Sequence, residues 1–167
     1  MSDHSEAPSK EFANTLALAI EAGCLTYRDT IPWADAIIAS LDHPPLWICD
    51  LSTIKYRPDA LRVIRDFLCA EPFEPIDAAK HAYLGFLWIR YERRELSWAS
   101  FLNEAGKHSD GLSEGIECEY FYAMLNELEE ADFDSTVEAR QQEKVRQCLG
   151  AAIQQTRRFY EDFRKRG

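Results

Sequence analysis

The chain has 167 residues, the length of one ordinary domain, and its 46% hydrophobic, 12% aromatic and 29% charged residues are typical of a folded globular protein. This composition excludes collagen-like, low-complexity and wholly disordered chains, and no apolar run approaches the about 18 residues of a membrane span. The net charge of −10 disfavours direct binding to nucleic acid, because a phosphate backbone would repel the chain.

Residues 1–8 are predicted to form a flexible N-terminal tail, and residues 9–167 a single helical domain. The tail is polar and carries acids, so it does not have the basic and apolar regions of a signal peptide. The five cysteines, at positions 24, 49, 69, 118 and 148, form no CxxC motif and lie beside apolar residues, which predicts buried structural thiols. Together these features favour the reducing cytoplasm.

Three helices are predicted in the first half of the chain from the 3.6-residue spacing of its apolar side chains. Ser9 caps the first helix, which stops at Gly23. Thr30 is the predicted cap of the second helix, because a proline follows two residues later and proline is favoured in a first helical turn. The short segment Leu46–Leu51 fits either a helical turn or an extended connector, and Pro58 opens the third helix.

The centre of the fold is predicted to be a helix over about Ile76–Arg94. Its middle part, Ala82–Ile89, has no polar side chain, and a helix that is apolar all round has to be surrounded by other helices. Ser97 then caps a shorter helix that ends near Gly106.

Two further helices are predicted, over about Glu114–Ala131 and from Ser135 to about Lys165, the second with a capping box formed by Ser135 and Glu138. The last helix carries one apolar seam, made of Val145, Leu149, Ala152, Thr156, Tyr160 and Phe163. This seam would pack inside the bundle or, alternatively, join two copies of the chain. The pattern as a whole predicts an all-α, single-domain bundle of about seven helices with a central apolar helix and a long C-terminal helix.

Charge is distributed unevenly along the chain. Residues 110–138 hold ten acids and neither Lys nor Arg, whereas residues 139–167 hold eight bases and three acids. Two interpretations are open. The acidic helix packs antiparallel beside the basic last helix and is neutralised by it, or it presents a negative surface to a partner.

A helical wheel of the acidic segment separates a core side from a solvent side. Phe121, Met124 and Leu128, together with Tyr120, face the core, whereas Tyr122 is predicted to be exposed between carboxylates. An exposed aromatic ring among acids is typical of an interface anchor for a basic partner, although single exposed apolar residues are also common. The predicted partner-binding residues are Glu119, Tyr122, Asn126, Glu129, Glu130, Asp132 and Asp134.

The sequence contains no established catalytic motif: HExxH, GxSxG, P-loop and GxGxxG patterns are absent. Asp77 with His81, and Glu104 with His108, each place an acid and a histidine one turn apart, but no ExxH pair repeats as a di-iron bundle requires. We therefore predict no catalytic residue, no metal and no cofactor. A small helical enzyme or ligand-binding bundle with a site near His81 is the alternative.

One part of the chain is similar to a known group of proteins. It comprises the segment Ile31-Pro-Trp-Ala-Asp-Ala-Ile-Ile38, the pair Pro44-Pro45 and the segment Trp47-Ile-Cys-Asp-Leu-Ser52. In these residues the chain resembles small all-helical bacterial immunity proteins of polymorphic toxin and contact-dependent inhibition systems. The resemblance implies a bacterial cytoplasmic protein that performs no catalysis and occludes a toxin domain, often a nuclease with a basic active-site surface. It also implies that Trp33 and Asp35 belong to the scaffold.

Overall fold

A computed structural model of the protein describes residues 7–76, 80–110 and 116–166, and within these ranges it contains eight α-helices and no strand. The helices are α1 (Lys10–Glu21), α2 (Tyr27–Ser40), α3 (Leu46–Leu51), α4 (Arg57–Cys69), α5 (Ala82–Glu92), α6 (Trp98–Ser109), α7 (Cys118–Glu130) and α8 (Ser135–Arg166). The predicted all-α bundle with a long C-terminal helix is confirmed. The open segment Leu46–Leu51 is helical, which makes the described helices eight rather than about seven.

The centre of the bundle is α5, which packs along α8 and also contacts α1 and α6. Six consecutive residues of α5 from Leu84 to Ile89 are buried, as the apolar run predicts. Gly85 allows α5 and α8 to approach closely, because a Cβ at this position would be 2.5 Å from Thr156 Oγ1 and 2.8 Å from the Ala152 carbonyl oxygen.

The apolar seam of α8 is used inside the chain. Five of its residues are buried and Tyr160 is half-buried, and α5 covers much of the helix. The seam therefore packs inside the bundle, the first of the two interpretations, and only part of Tyr160 remains accessible on it.

A buried glutamine connects the three C-terminal helices. Trp98 of α6 donates its indole N–H to Gln141 Oε1 of α8 at 2.9 Å. The Gln141 amide donates in turn to the Met124 carbonyl oxygen of α7 at 2.8 Å and to Glu127 Oε2 at 2.9 Å. Because Gln141 is fully buried, the Trp98 indole N–H and the Gln141 amide depend on these bonds for their partners.

We expect Gln141→Ala to lower the free energy of unfolding by about 3 kcal/mol, since it leaves a cavity and deprives the Trp98 indole of its acceptor. Gln154→Ala, at an exposed position of the same helix, is the matched control and should change it by about 0.5 kcal/mol or less. Urea unfolding followed by circular dichroism measures both, and equal midpoints for the two variants would contradict the role assigned to Gln141.

Two predicted helix caps are wrong because another residue supplies the cap, although α8 begins at Ser135 as predicted. Thr26, not Thr30, caps α2. Its hydroxyl accepts from the Arg28 backbone N–H at 3.3 Å, and Asp29 Oδ2 accepts from the Thr26 N–H at 2.9 Å. Thr30 is buried one turn later, and Pro32 lies inside the helix rather than at its start. At α8 the cap is Asp134, which is described below with the candidate site.

Three other predicted boundaries also move. The central helix begins at Ala82 instead of about Ile76, because His81 adopts a left-handed backbone with φ of 62° that a continuous helix cannot contain. α6 continues past Gly106 to Ser109, and α7 begins at Cys118. The predicted start of α7 at Glu114, residue Asp77 and the first six residues of the predicted tail lie outside the described residues.

The prediction that all five cysteines are buried is wrong for Cys69 and Cys148, which are exposed. Successive residues of a helix point about 100° apart, so an apolar neighbour in sequence does not share its burial with a cysteine. Only Cys24 is fully buried, and its burial raises the pKa of the thiol to about 12. No described helix is both long enough and apolar enough to pass through a bilayer.

Candidate functional site

The acidic helix α7 packs mainly against α6 and meets α8 near Met124 and Glu127. Phe121, Met124 and Leu128 are buried, and Tyr120 is half-buried with its ring edge-on to Phe121. The core side of the helical wheel is therefore confirmed. It fixes which carboxylates of α7 point to solvent.

The basic helix neutralises little of this acidic segment. Within the described residues, one ion pair joins the two helices, between Arg140 and Glu127. The Gln141 amide and then the charges of Arg140 and Lys144 hold the pKa of Glu127 below its usual value.

Other bases of α8 pair across the bundle or along their own helix. Arg157 binds Glu92 of α5 at 2.8 Å, and Arg164 binds Asp29 of α2 at 3.1 Å. Arg146 binds Glu143 one turn away at 2.8 Å. The direction of these side chains explains why the adjacent basic helix leaves the acidic helix largely unpaired.

Four exposed carboxylates of α7 and its C-terminal turn have no ion-pair partner among the described residues: Glu119, Glu129, Glu130 and Asp132. Glu119 accepts a hydrogen bond from its own backbone N–H and one from the Cys118 thiol at 3.3 Å. The backbone bond and, to a smaller extent, the thiol bond lower the pKa of Glu119. All four carboxylates point into solvent, and Asn126 is exposed beside them.

Tyr122 does not occupy the position that the wheel predicts. It is half-buried, and its ring lies against α6 at Gly106, where an added Cβ would be 2.6 Å from the tyrosine Cε1. A helical wheel distinguishes the core side of α7 from its solvent side, but it does not show which flank of α7 faces α6. The glycine in α6, which makes room for the ring, was the signal in the sequence. Tyr122 therefore holds α6 and α7 together, and the prediction of a freely exposed ring is wrong.

An exposed aromatic ring does occur in this region, at Phe133, whose exposed fraction is 55%. The backbone N–H groups of Asp132 and Phe133 donate to the carbonyl oxygens of Glu129 and Leu128 at 3.0 and 2.9 Å, the pattern of a Schellman ending. Both turn residues have left-handed backbones, with φ of 50° and 58°.

This left-handed conformation is unfavourable for Phe133, because a residue with a Cβ pays about 1–2 kcal/mol to adopt it. Sequence reasoning missed Phe133 because it lies after the helix, where a wheel gives no direction. The aromatic residue between two aspartates, Asp132-Phe133-Asp134, was the available signal.

Asp134 serves the fold. Its Oδ1 accepts from the backbone N–H groups of Thr136 at 2.8 Å and Val137 at 3.4 Å, and from the Thr136 hydroxyl. These bonds, the hydroxyl first, lower the pKa of Asp134. The predicted capping box of Ser135 and Glu138 is wrong, because Glu138 Oε1 accepts from the Tyr91 hydroxyl at 3.2 Å instead.

We call the exposed part of this region the acidic surface: Glu119, Asn126, Glu129, Glu130, Asp132 and Phe133. It combines carboxylates, which attract a cationic surface over several ångströms, with one ring that can be buried on contact. Comparison of the chain with protein-family models, with curated proteins and with solved structures found no match. The function is therefore inferred from the geometry and charge of the described residues.

Near His81, where the alternative places a site, the described aromatic rings are packed against one another. The rings of Tyr83 and His108 are stacked with centroids 3.7 Å apart, and Trp88 is buried against Trp98 and Phe101. Burial lowers the pKa of His81 and of His108 below the usual 6.5, so both are uncharged at neutral pH. Within the ranges the structure describes, no group of three His, Cys, Asp or Glu side chains could hold a metal ion.

This burial predicts a pH dependence of stability. The folded state resists protonation of His108, whereas the unfolded state does not, so protons favour unfolding. Stability should be highest above pH 6.5 and should fall as the pH drops below that value. His108→Phe keeps a ring for Tyr83 and removes the titration, and we expect a shallower loss between pH 7.5 and 5.5. Urea unfolding at both pH values measures it, with His43→Asn at an exposed position as control; equal losses in all three proteins would contradict the assignment.

Proposed function

We propose that the protein is a binding protein that performs no catalysis and covers a basic surface of a protein partner with its acidic surface. One observation carries the proposal: Glu119, Glu129, Glu130 and Asp132 are exposed and have no ion-pair partner in the described residues, although α7 meets the base-rich α8. Carboxylates of one sign on a single face repel one another, and a cationic partner relieves that repulsion.

The acidic surface contains the two kinds of group that an interface of this class uses. Exposed carboxylates at the rim accelerate the encounter with a cationic surface, and added salt reduces this acceleration by screening the attraction. Phe133 supplies apolar area that is lost to water on contact, and such a buried ring mainly slows dissociation. Its unfavourable backbone supports a role in binding, since strain of this kind is typically retained where a side chain serves a function.

The role that fits best is that of a bacterial immunity protein in the cytoplasm. The resemblance of residues 31–52 to immunity proteins of contact-dependent inhibition systems supports this role, as does the negative charge. The partner would be a toxin domain with a basic active-site surface, for example a nuclease. The carboxylates would then occupy the groups that otherwise hold phosphate, so inhibition would be steric and electrostatic.

Affinity capture with three bait proteins tests the proposal. The test variant carries Glu129→Lys and Glu130→Lys. The control carries Asp42→Lys and Asp66→Lys, two exposed acids without an ion-pair partner among the described residues, and it changes the net charge by the same amount. Wild type and control should capture one basic partner from the native host, and the test variant should lose it. Equal capture of that partner by all three baits would contradict the proposal.

A further inference from the structure

A second region of the surface has the form of a small-molecule site. A cleft of about 240 Å³ lies between the end of α1, the start of α2 and the segment that joins α3 to α4. Tyr27 and Tyr56 flank it, with exposed fractions of 39% and 67%. Its apolar lining consists of Ile20, Leu25, Ile54 and Ala60.

The charge of this cleft is opposite to that of the chain as a whole. Lys55 and Arg57 line it and no acid does, although the chain has 29 acids and 19 bases. Neither base has an ion-pair partner among the described residues, and both are exposed. Two uncommitted cations beside an apolar lining are the arrangement that an amphipathic anion requires.

Asp29 and Glu21, the carboxylates of α2 and α1 nearest in sequence to the cleft lining, are already engaged. Asp29 binds the Thr26 backbone N–H through one oxygen and Arg164 through the other, and Glu21 pairs with Arg65 at 3.4 Å. A third cation, Arg28, donates to the Tyr27 hydroxyl at 3.5 Å. Arg28, and to a smaller extent Lys55, lower the pKa of Tyr27, which agrees with a positive potential at the mouth.

We propose that this cleft binds a small ligand that has one apolar body and one carboxylate. The apolar body would contact Ile20, Leu25 and Ala60, and the carboxylate would lie between Lys55 and Arg57. The volume is below the about 300–1,000 Å³ of sites for drug-sized molecules, so the body is of the size of a single ring or a short alkyl chain. A free aryl or alkyl carboxylate and the C-terminal residue of a peptide both present this chemistry.

Titrations of ¹⁵N-labelled full-length protein followed by NMR test the site with four probes. The probes are phenylacetate, its neutral analogue phenylacetamide, a short peptide with a C-terminal Phe carboxylate, and the same peptide amidated. Phenylacetate should cause saturable shifts at the amides of Thr30, Ile54 and Ala60. Phenylacetamide should bind about tenfold more weakly, because it makes no ion pair with either cation.

Two variants locate the binding. Lys55→Gln with Arg57→Gln should weaken phenylacetate binding about tenfold, whereas Lys144→Gln, at an exposed position of α8, should leave it unchanged. If the peptide with a free carboxylate binds more tightly than phenylacetate, and the amidated peptide binds more weakly than phenylacetate, the ligand is a peptide terminus. If phenylacetate binds more tightly than the free-carboxylate peptide, the ligand is a small free carboxylate. The proposal is overturned if no probe gives saturable shifts at the cleft, if the charged and neutral probes bind equally, or if the double variant binds phenylacetate as wild type does.

Discussion

Gly85→Ala is expected to lower the free energy of unfolding by about 2 kcal/mol, although alanine is the better helix former by about 1 kcal/mol. The reason is the close approach of α5 and α8, where the new methyl group would be 2.5 Å from Thr156 Oγ1 and 2.8 Å from a backbone oxygen of Ala152. A backbone oxygen cannot rotate away as a side chain can, so the two helices must separate. Gly85→Val, with two more methyl groups in the same gap, should be worse still.

Gly150 offers a matched control for the same substitution. It is an exposed glycine of α8 at which an added Cβ has no neighbour within 4 Å. Gly150→Ala should therefore raise the free energy of unfolding by up to about 1 kcal/mol, through helix propensity alone. Urea unfolding followed by circular dichroism measures both variants. A Gly85→Ala protein as stable as Gly150→Ala would show that α5 and α8 do not pack as described.

Phe133→Gly is expected to change stability and partner binding in opposite directions. Glycine adopts the left-handed backbone of this position without strain, so the folded state should gain up to about 1 kcal/mol. The same change removes the exposed ring from the acidic surface, and binding of the basic partner should weaken by about 2 kcal/mol or more, mainly through faster dissociation.

Arg94→Gly separates these two effects. Arg94 follows α5 with a left-handed φ of 59° and, like Asp132, lies in a Schellman ending, but it is not part of the acidic surface. The Arg94→Gly protein should be more stable than wild type and should bind the partner with the affinity of wild type. Thermal unfolding gives the first quantity, and surface plasmon resonance with the captured partner gives the second. Unchanged affinity of Phe133→Gly would remove Phe133 from the interface.

The fold could be predicted where burial is periodic along the chain. The all-apolar run of α5 and the seam of α8 each record which side of a helix meets its neighbours, so the all-α class and the buried sides followed from spacing alone. Of the predicted caps, Ser9 and Ser97 are confirmed and two others are wrong. A cap depends on which of two nearby side chains reaches the free N–H groups, and Thr26 and Asp134 succeed where Thr30 and Ser135 were expected.

The candidate site was predicted in charge but not in detail. The run of acids in residues 110–138 is visible in the sequence, whereas the direction taken by the bases of α8 depends on how the helices cross. Tyr122 is not exposed as predicted, and the exposed Phe133 was missed, because neither position follows from the helical period of α7. A glycine in a different helix receives the Tyr122 ring, and a turn conformation outside any helical period exposes Phe133.

The central claim is that the acidic surface binds a basic partner, and the rate of association measures it most directly. Stopped-flow mixing of the captured partner at low and moderate salt would compare wild type, the Glu129→Lys and Glu130→Lys variant, and the Asp42→Lys and Asp66→Lys control. We predict that the Glu129→Lys and Glu130→Lys variant associates more slowly than wild type and that this difference is largest at low salt. The association rate of the control should differ from that of wild type only by the small effect of the changed net charge. Equal rates with equal salt dependence for the two variants would contradict the claim.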